Sequence, residues 1–233
     1  MAPPENPRTR PARSDGEQTR ERLVATALAL FAGRGFAKTS TRDIAEAAGT
    51  NLAAISYYFG DKAGLYREAF AAVPTPAAHM PSIAQVDKLT LRQALEGLYQ
   101  GFVAPLKQGE AARQCIRLHM REMLEPTGLW EQEIEGAVKP LHEMLVRVLC
   151  RHLGLAGPDD EVLRLAAMLM AMGVHLHVGR DVMEALAPTL GATDEAVAAW
   201  LPALVRYAEA LVAAERARRK AALRWTLCGR KTP

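Results

Sequence analysis

With 233 residues, 49% of them hydrophobic and 24% charged, the chain has the apolar content to bury a sizeable core, exceeds one small domain and is excluded from the disordered class. Its formal charge of +3 is segregated: residues 1–66 carry 9 basic and 7 acidic groups, residues 67–215 carry 13 and 19, and residues 216–233 carry 7 and none. A modestly basic start suits phosphate contact and the acidic middle does not, while the polar stretch Met1–Arg13 and the lack of an apolar run of roughly 18 residues predict a cytoplasmic protein without a membrane span.

Abundant alanine and leucine, 6% aromatics and few β-branched runs predict an all-α fold. Residues 1–17 read as a disordered arm, with Arg8, Arg10 and Arg13 candidates for a minor groove. From Thr19 the series Leu23, Ala27, Leu30, Phe31 has helical spacing and stops at Gly33 to Gly35. The hydroxyls of Thr39, Ser40 and Thr41 precede a short helix from Arg42 to Ala48, ended by Gly49, and Asn51 caps a second, Leu52 to Phe59. Gly60 and Asp61 break the chain before Lys62 to Phe70. Two short helices around a glycine turn, locked by Ile44, Ala48 and Ile55, form a helix-turn-helix.

A linker is expected over residues 71–90 and a helical domain over 91–215. Leu91–Lys107 is broken near Pro105; Ala111–Leu124 ends in the Glu125-Pro126-Thr127-Gly128 loop; and Trp130–Leu153 carries a kink or break at Pro140. Asp159, Asp160 and Glu161 start a helix to about Val178, Asp181–Ala187 is short, and a last helix begins at Thr193 or Asp194 and runs beyond Ala214. Residues 216–233 read as a solvated, partly helical basic tail. Of the three cysteines, Cys115 and Cys150 are expected to be buried thiols and Cys228 exposed, with no CxxC metal spacing.

Thr41-Arg42-Asp43-Ile44-Ala45-Glu46-Ala47-Ala48-Gly49, then Asn51, Ile55, Tyr57-Tyr58-Phe59, Asp61-Lys62 and Leu65-Tyr66 resemble the TetR family DNA-binding signature over roughly residues 18–70. Leu129-Trp130 and Val178-Gly179-Arg180-Asp181 add similarity to its CecR-like branch. The resemblance implies an N-terminal three-helix DNA-binding domain and a larger helical-bundle domain for ligand binding and dimerisation, hence a homodimeric repressor on a palindromic double-stranded operator.

A major groove admits one helix, with small residues letting the backbone approach and polar or methyl groups touching base edges. Leu52, Ala53 and Ser56 are thus placed to face bases, and Asn51, Tyr57 and Tyr58 to reach phosphates or a base edge; Ser40, Thr41, Arg42 and Lys62 would position the duplex at helix starts. Leu52-Ala53-Ala54 departs from the basic and small residues frequent in the family, so base choice leans on apolar contacts such as a thymine methyl. Capping is the plainer role for Thr41, Asn51 and Asp61.

Val162–Val178 and Val197–Ala213 are apolar on more than one face, through Leu163, Leu165, Met168, Leu169 and Met172 and through Trp200, Leu201, Leu204 and Leu211, which suits a dimer interface. Tyr99, Phe102, His119, Met123, Trp130, Met144, Met172 and His175 are candidates for a largely apolar effector pocket, with core packing the alternative for each. His175 and His177, two apart on a helix, point to different faces and do not make a metal pair. No catalytic, nucleotide-binding or metal motif appears, so no enzyme and no cofactor is expected. The competing class is a ligand-independent architectural DNA binder using the basic tail.

Overall fold

The computed structural model describes residues 15–72 and 83–228, with backbone alone for 83–84 and 223–228. Every regular element among the described residues is helical, as expected, and the chain divides into two compact units between Ala72 and Val73. Arg8, Arg10, Arg13 and most of the predicted arm lie outside the described residues.

The first unit contains α1 (Asp15–Arg34), α2 (Thr41–Ala47), α3 (Leu52–Phe59) and α4 (Lys62–Ala71). Helix α1 already includes Asp15 to Gln18, ahead of the predicted start; Asp15 and Glu17 in its first turn oppose the positive end of the helix dipole. Its buried stripe, Leu23, Ala27, Leu28, Phe31 and Ala32, has the predicted spacing. Phe31 meets Tyr66 of α4 edge-on, with ring centroids 4.9 Å apart, and Leu65 and Ala69 complete the contact. Outside this core an Arg20–Glu68 ion pair ties α1 to α4.

Thr39 does not cap α2 but is buried, its hydroxyl donating to the Gly35 carbonyl at 2.8 Å. Ser40 is the cap: its Oγ accepts from Asp43 N, and the Asp43 carboxylate accepts from Ser40 N. Those bonds hold the Asp43 carboxyl below the usual carboxylate range. Thr41 is then the first helical residue, which corrects its reading as a cap. Gly49, at φ +61°, supplies the reversal into α3, and Ile44, Ala48 and Ile55 are buried as predicted.

The second unit comprises α5 (Ile83–Val86), α6 (Leu91–Lys107), α7 (Glu110–Leu124), α8 (Trp130–Glu133), α9 (Lys139–Leu153), α10 (Asp160–Val178), α11 (Arg180–Leu186), α12 (Asp194–Ala198) and α13 (Trp200–Cys228). Its core is built by α6, α9, α10 and α13, with Leu95, Tyr99, Leu149, Leu169, Val205 and Ala208 among the buried residues. The Tyr99 hydroxyl donates to the Leu169 carbonyl at 3.1 Å, and burial pushes its phenol well above the ordinary tyrosine range. Cys115 and Cys150 are buried free thiols.

Several element boundaries differ from expectation. The segment 83–90 is not featureless: Val86 is buried, Arg147 grips Asp87 with two bonds of 2.7 and 2.8 Å, and Arg151 donates to the Val86 and Leu89 carbonyls. Helix α6 runs unbroken through Pro105, because a proline in the last turn removes one hydrogen bond and few residues follow to be displaced. The disruption foreseen at Pro140 is a π-helical turn, Ile134–Val138, just ahead of it; a residue lacking N–H favours such a rearrangement on its N-terminal side. The last helical stretch is split at Ala199 into α12 and α13, ahead of Pro202, which cannot donate to a carbonyl four residues back.

The basic terminus is helical, as expected for part of it, since α13 continues to Cys228. Arg219 donates to both carboxylate oxygens of Asp159 at 2.7 Å and to Glu215 at 2.6 Å, while Asp159 caps α10 by accepting from Val162 N. Windows within Asp160–Val178 and Asp194–Ala222 reach the length and mean hydropathy of a membrane span, where no such run was expected: alanine, leucine and methionine raise the average despite interspersed charges. Only 28% and 22% of those windows are buried within the chain, so much apolar surface on these helices faces outward.

Candidate nucleic-acid interface

Helix α3 has one buried residue, Ile55, wedged against α2, and this single anchor turns the rest of its circumference outward. Asn51 caps it, its Oδ1 accepting from Ala53 N at 2.8 Å, which leaves the Asn51 amide N–H groups pointing to other acceptors. Leu52, Ala53, Ser56 and Tyr57 then share an exposed face, as residues one turn apart must; Leu52 is 45% and Tyr57 81% exposed.

The other predicted contact residues flank that face unevenly. Ser40 and Arg42 are exposed at the start of α2, and Thr41 is half-buried. Tyr58 is half-buried, its ring edge-on to Tyr57 at 4.8 Å and its hydroxyl against Gly16 in the first turn of α1. Lys62 does not project freely: its ammonium lies 4.2 Å from the centre of the Phe36 ring, a cation–π contact. Asp61 caps α4 by accepting from Gly64 N at 2.7 Å. Phe59 is half-buried with the Arg20 guanidinium 5.5 Å from its ring centre. Lys38, exposed in the turn leading to Ser40, was passed over in the sequence, although a lone basic residue just before a cap is a readable signal.

In the second unit the eight pocket candidates scatter. Tyr99 and Phe102 are core, Met144 and Met172 pack against that core, His119, Met123 and Trp130 are half-buried, and His175 is exposed. None lines either of two adjoining clefts of about 290 and about 300 Å³, which share Leu106, Arg113 and Arg180. His177, not His175, reaches the second cleft, with its Nε2 3.0 Å from the Phe102 carbonyl. The buried period Val162, Ala166, Leu169, Gly173 places residue 177 inward, so this was legible in the sequence.

Burial pushes the His177 imidazole down to about 4, against a partial upward pull from the Phe102 carbonyl. The folded chain therefore keeps it neutral while the unfolded chain takes up a proton near pH 6.5. Stability present above pH 6.5 should be lost as pH falls toward 4, by at most about 3 kcal/mol. Burial lowers His119 in the same direction. His177→Gln, which retains an N–H donor, should flatten this slope in pH-dependent melting; a slope identical to wild type between pH 4.5 and 6.5 would contradict the assignment.

Residues 23–69 match the family of bacterial regulatory proteins, tetR family, and residues 91–214 match the C-terminal domain of the HTH-type transcriptional dual regulator CecR. The chain belongs to the TetR family of bacterial transcriptional regulators, a family of DNA-binding proteins and not of enzymes. Within that family its larger domain is of the CecR type. It is 28% identical over 179 residues to the HTH-type transcriptional dual regulator CecR of Shigella flexneri, covering 72% of this chain and 79% of that protein. Over 63 residues it is 36% identical to the probable acrEF/envCD operon repressor of Escherichia coli (strain K12), covering 27% of this chain and 29% of that one. The hemolysin II transcriptional regulator HlyIIR has the same fold, with a TM-score of 0.56 at 22% identity over 76% of this chain and 97% of its own.

Proposed function

We propose that this protein is a ligand-responsive, homodimeric repressor that binds a palindromic operator, reading DNA through α3 with residues 18–70 and sensing and dimerising through residues 91–215. The observation that carries the reading is the outward face of α3, where Leu52, Ala53, Ser56 and Tyr57 stand together on a helix fixed by one buried isoleucine and an asparagine cap. Leu52 and Ala53 suit a thymine methyl, Ser56 a base edge, and Asn51 and Tyr57 phosphate oxygens. Ser40, Thr41, Arg42 and Tyr58 add positioning contacts at the starts of α2 and α1, and Lys62 does so by swinging off Phe36.

Dimerisation is supported by apolar surface on α10 and α13. Leu169 and Leu204, expected at that interface, are buried in the protomer's own core, but Leu163, Met168 and Leu211 are 40%, 59% and 42% exposed, joined by Val178 and Tyr207 at 54% and 50%. Tyr207 and Leu211 lie one turn apart on α13, and members of the family are typically dimeric. Two recognition helices must enter successive major grooves roughly 34–36 Å apart, so an effector that favours another arrangement weakens operator binding. The repressor sense follows the acrEF/envCD relative; CecR's designation as a dual regulator makes activation at some promoters the competing sense. The architectural reading loses ground because Arg218 and Arg219 of the basic terminus are engaged by Glu215 and Asp159.

Selection from random duplex DNA should yield an inverted repeat with half-sites about one helical turn apart, and Tyr57→Ala with Tyr58→Ala should weaken binding to it by about tenfold to a hundredfold. Recovery of no inverted repeat, with affinity governed only by salt and residues 216–233, would reject this reading in favour of an architectural one.

A further inference from the structure

One wall of the second cleft is a single face of α7. Arg113, Arg117 and Arg121 form one edge at four-residue intervals, and Ile116, Met120 and Leu124 form a parallel apolar edge. The two rows run side by side for about 12 Å of helix. Leu106 of α6, Val178 at the end of α10 and Arg180 of α11 close the opposite side.

Like charges one turn apart repel, so a row of three guanidiniums is a disposition that helix propensity does not explain. The outer two are partly neutralised, Arg113 by Glu110 at 2.9 Å and Arg121 by Glu125 at 3.3 Å. Arg180 is matched by Glu184 at 2.6 Å. Arg117, in the middle, makes no ion pair among the described residues. Beside this charge Leu124 is 73% exposed, an apolar side chain that the protomer leaves uncovered. Glu125 and Asp181 also line the cleft, and with Glu110 and Glu184 beside it the carboxylates number four against four guanidiniums, so the exposed Arg117, without an ion pair among the described residues, is the group that offers an anion a partner. His177 adds no charge near neutral pH.

We propose that this cleft binds an elongated amphipathic organic anion, with its acidic head on the Arg117 guanidinium and its hydrocarbon body along Ile116, Met120 and Leu124. The Arg117 guanidinium favours an acidic head over the ammonium of a lipophilic cation. The cleft spans α7 and the α10–α11 junction, so an occupant braces the end of α10 against α7 and bears on the helix that carries the exposed apolar face. Only this regulatory consequence rests on the ligand-responsive reading above; occupancy does not.

The test is calorimetric titration of the full chain with decanoate, decanol and decyltrimethylammonium below their micelle-forming concentrations, followed separately by operator affinity with and without decanoate. Decanoate should bind at least tenfold more tightly than the other two. Arg117→Ala should abolish that preference with unchanged melting, because the residue is exposed, and Leu124→Ala should weaken decanoate severalfold while keeping the preference. Equal binding of the three probes, or an anion preference that survives Arg117→Ala, overturns the proposal. Binding with the stated preference but no change in operator affinity upholds the site and rejects ligand-responsive repression.

Discussion

Replacing Gly64 by alanine is expected to unfold the DNA-binding unit and abolish operator binding. Gly64 lies in the first turn of α4, where its N–H is held by Asp61 at 2.7 Å, and a Cβ there would sit 1.9 Å from the Phe59 carbonyl oxygen and 3.1 Å from the Phe59 carbonyl carbon. These are backbone atoms at the end of α3, so no side-chain rotation relieves the clash. Gly60, at φ +78°, already fixes the turn between the two helices. Either α4 withdraws, uncovering Leu65, Tyr66 and Ala69, or the end of α3 is pushed out of place. Overpacking of this kind costs about 3 kcal/mol, a large fraction of what a domain of this size has. Circular-dichroism melting should show early loss of the first unit, with operator affinity reduced more than a hundredfold. Gly33→Ala is the control: nothing lies within 4 Å of the place its methyl group would take, and alanine near the end of α1 should be neutral or stabilising by about 0.5 kcal/mol. Equal melting of the two variants would show that α3 and α4 do not approach as described.

Glu122→Ala should cost the second unit about 1–3 kcal/mol, because it removes a fully buried acceptor from three part-buried hydrogen bonds that hold the following loop. Glu122 is fully buried in α7, and its carboxylate accepts from Thr127 N at 2.7 Å, from Leu129 N at 3.2 Å and from the Thr127 hydroxyl at 3.0 Å. It thereby folds the Glu125-to-Leu129 loop back onto its own helix and sets where α8 begins. Glu122→Gln, which keeps one carbonyl acceptor, should cost about half as much. Hydrogen exchange should show the Thr127 and Leu129 amides losing protection in the alanine variant before the rest of the domain. Unchanged melting and unchanged protection at those two amides would mean that Glu122 does not hold the loop.

The buried Glu122 also marks where reading of the sequence stops. A glutamate on a polar-looking helix followed by Pro126 and Gly128 reads as surface and loop, since nothing within one turn of it reveals two amide donors waiting five and seven residues away. The same limit led to His175 over His177, although the period of the neighbouring buried residues contained the answer. It concealed the arginine row too: residues 113, 117 and 121 look like a solvated face until the α10–α11 junction is placed opposite them.

What the sequence by itself determined was local. The hydroxyl and amide caps, the glycines at the turns, the 3–4 apolar spacing and the ordered Thr41-to-Tyr66 pattern were sufficient for an all-helical fold, the helix-turn-helix and its family, because each depends on residues within about one helical turn of one another. Tertiary structure decided the rest. That Arg219 locks the Asp159 cap from 60 residues away, that Pro105 leaves α6 intact while a π turn precedes Pro140, and that Leu204 is core while Leu211 is exposed all depend on which helices meet. Helix packing joins side chains across long sequence separations through shape and burial, and neither quantity is a property of a short window of sequence.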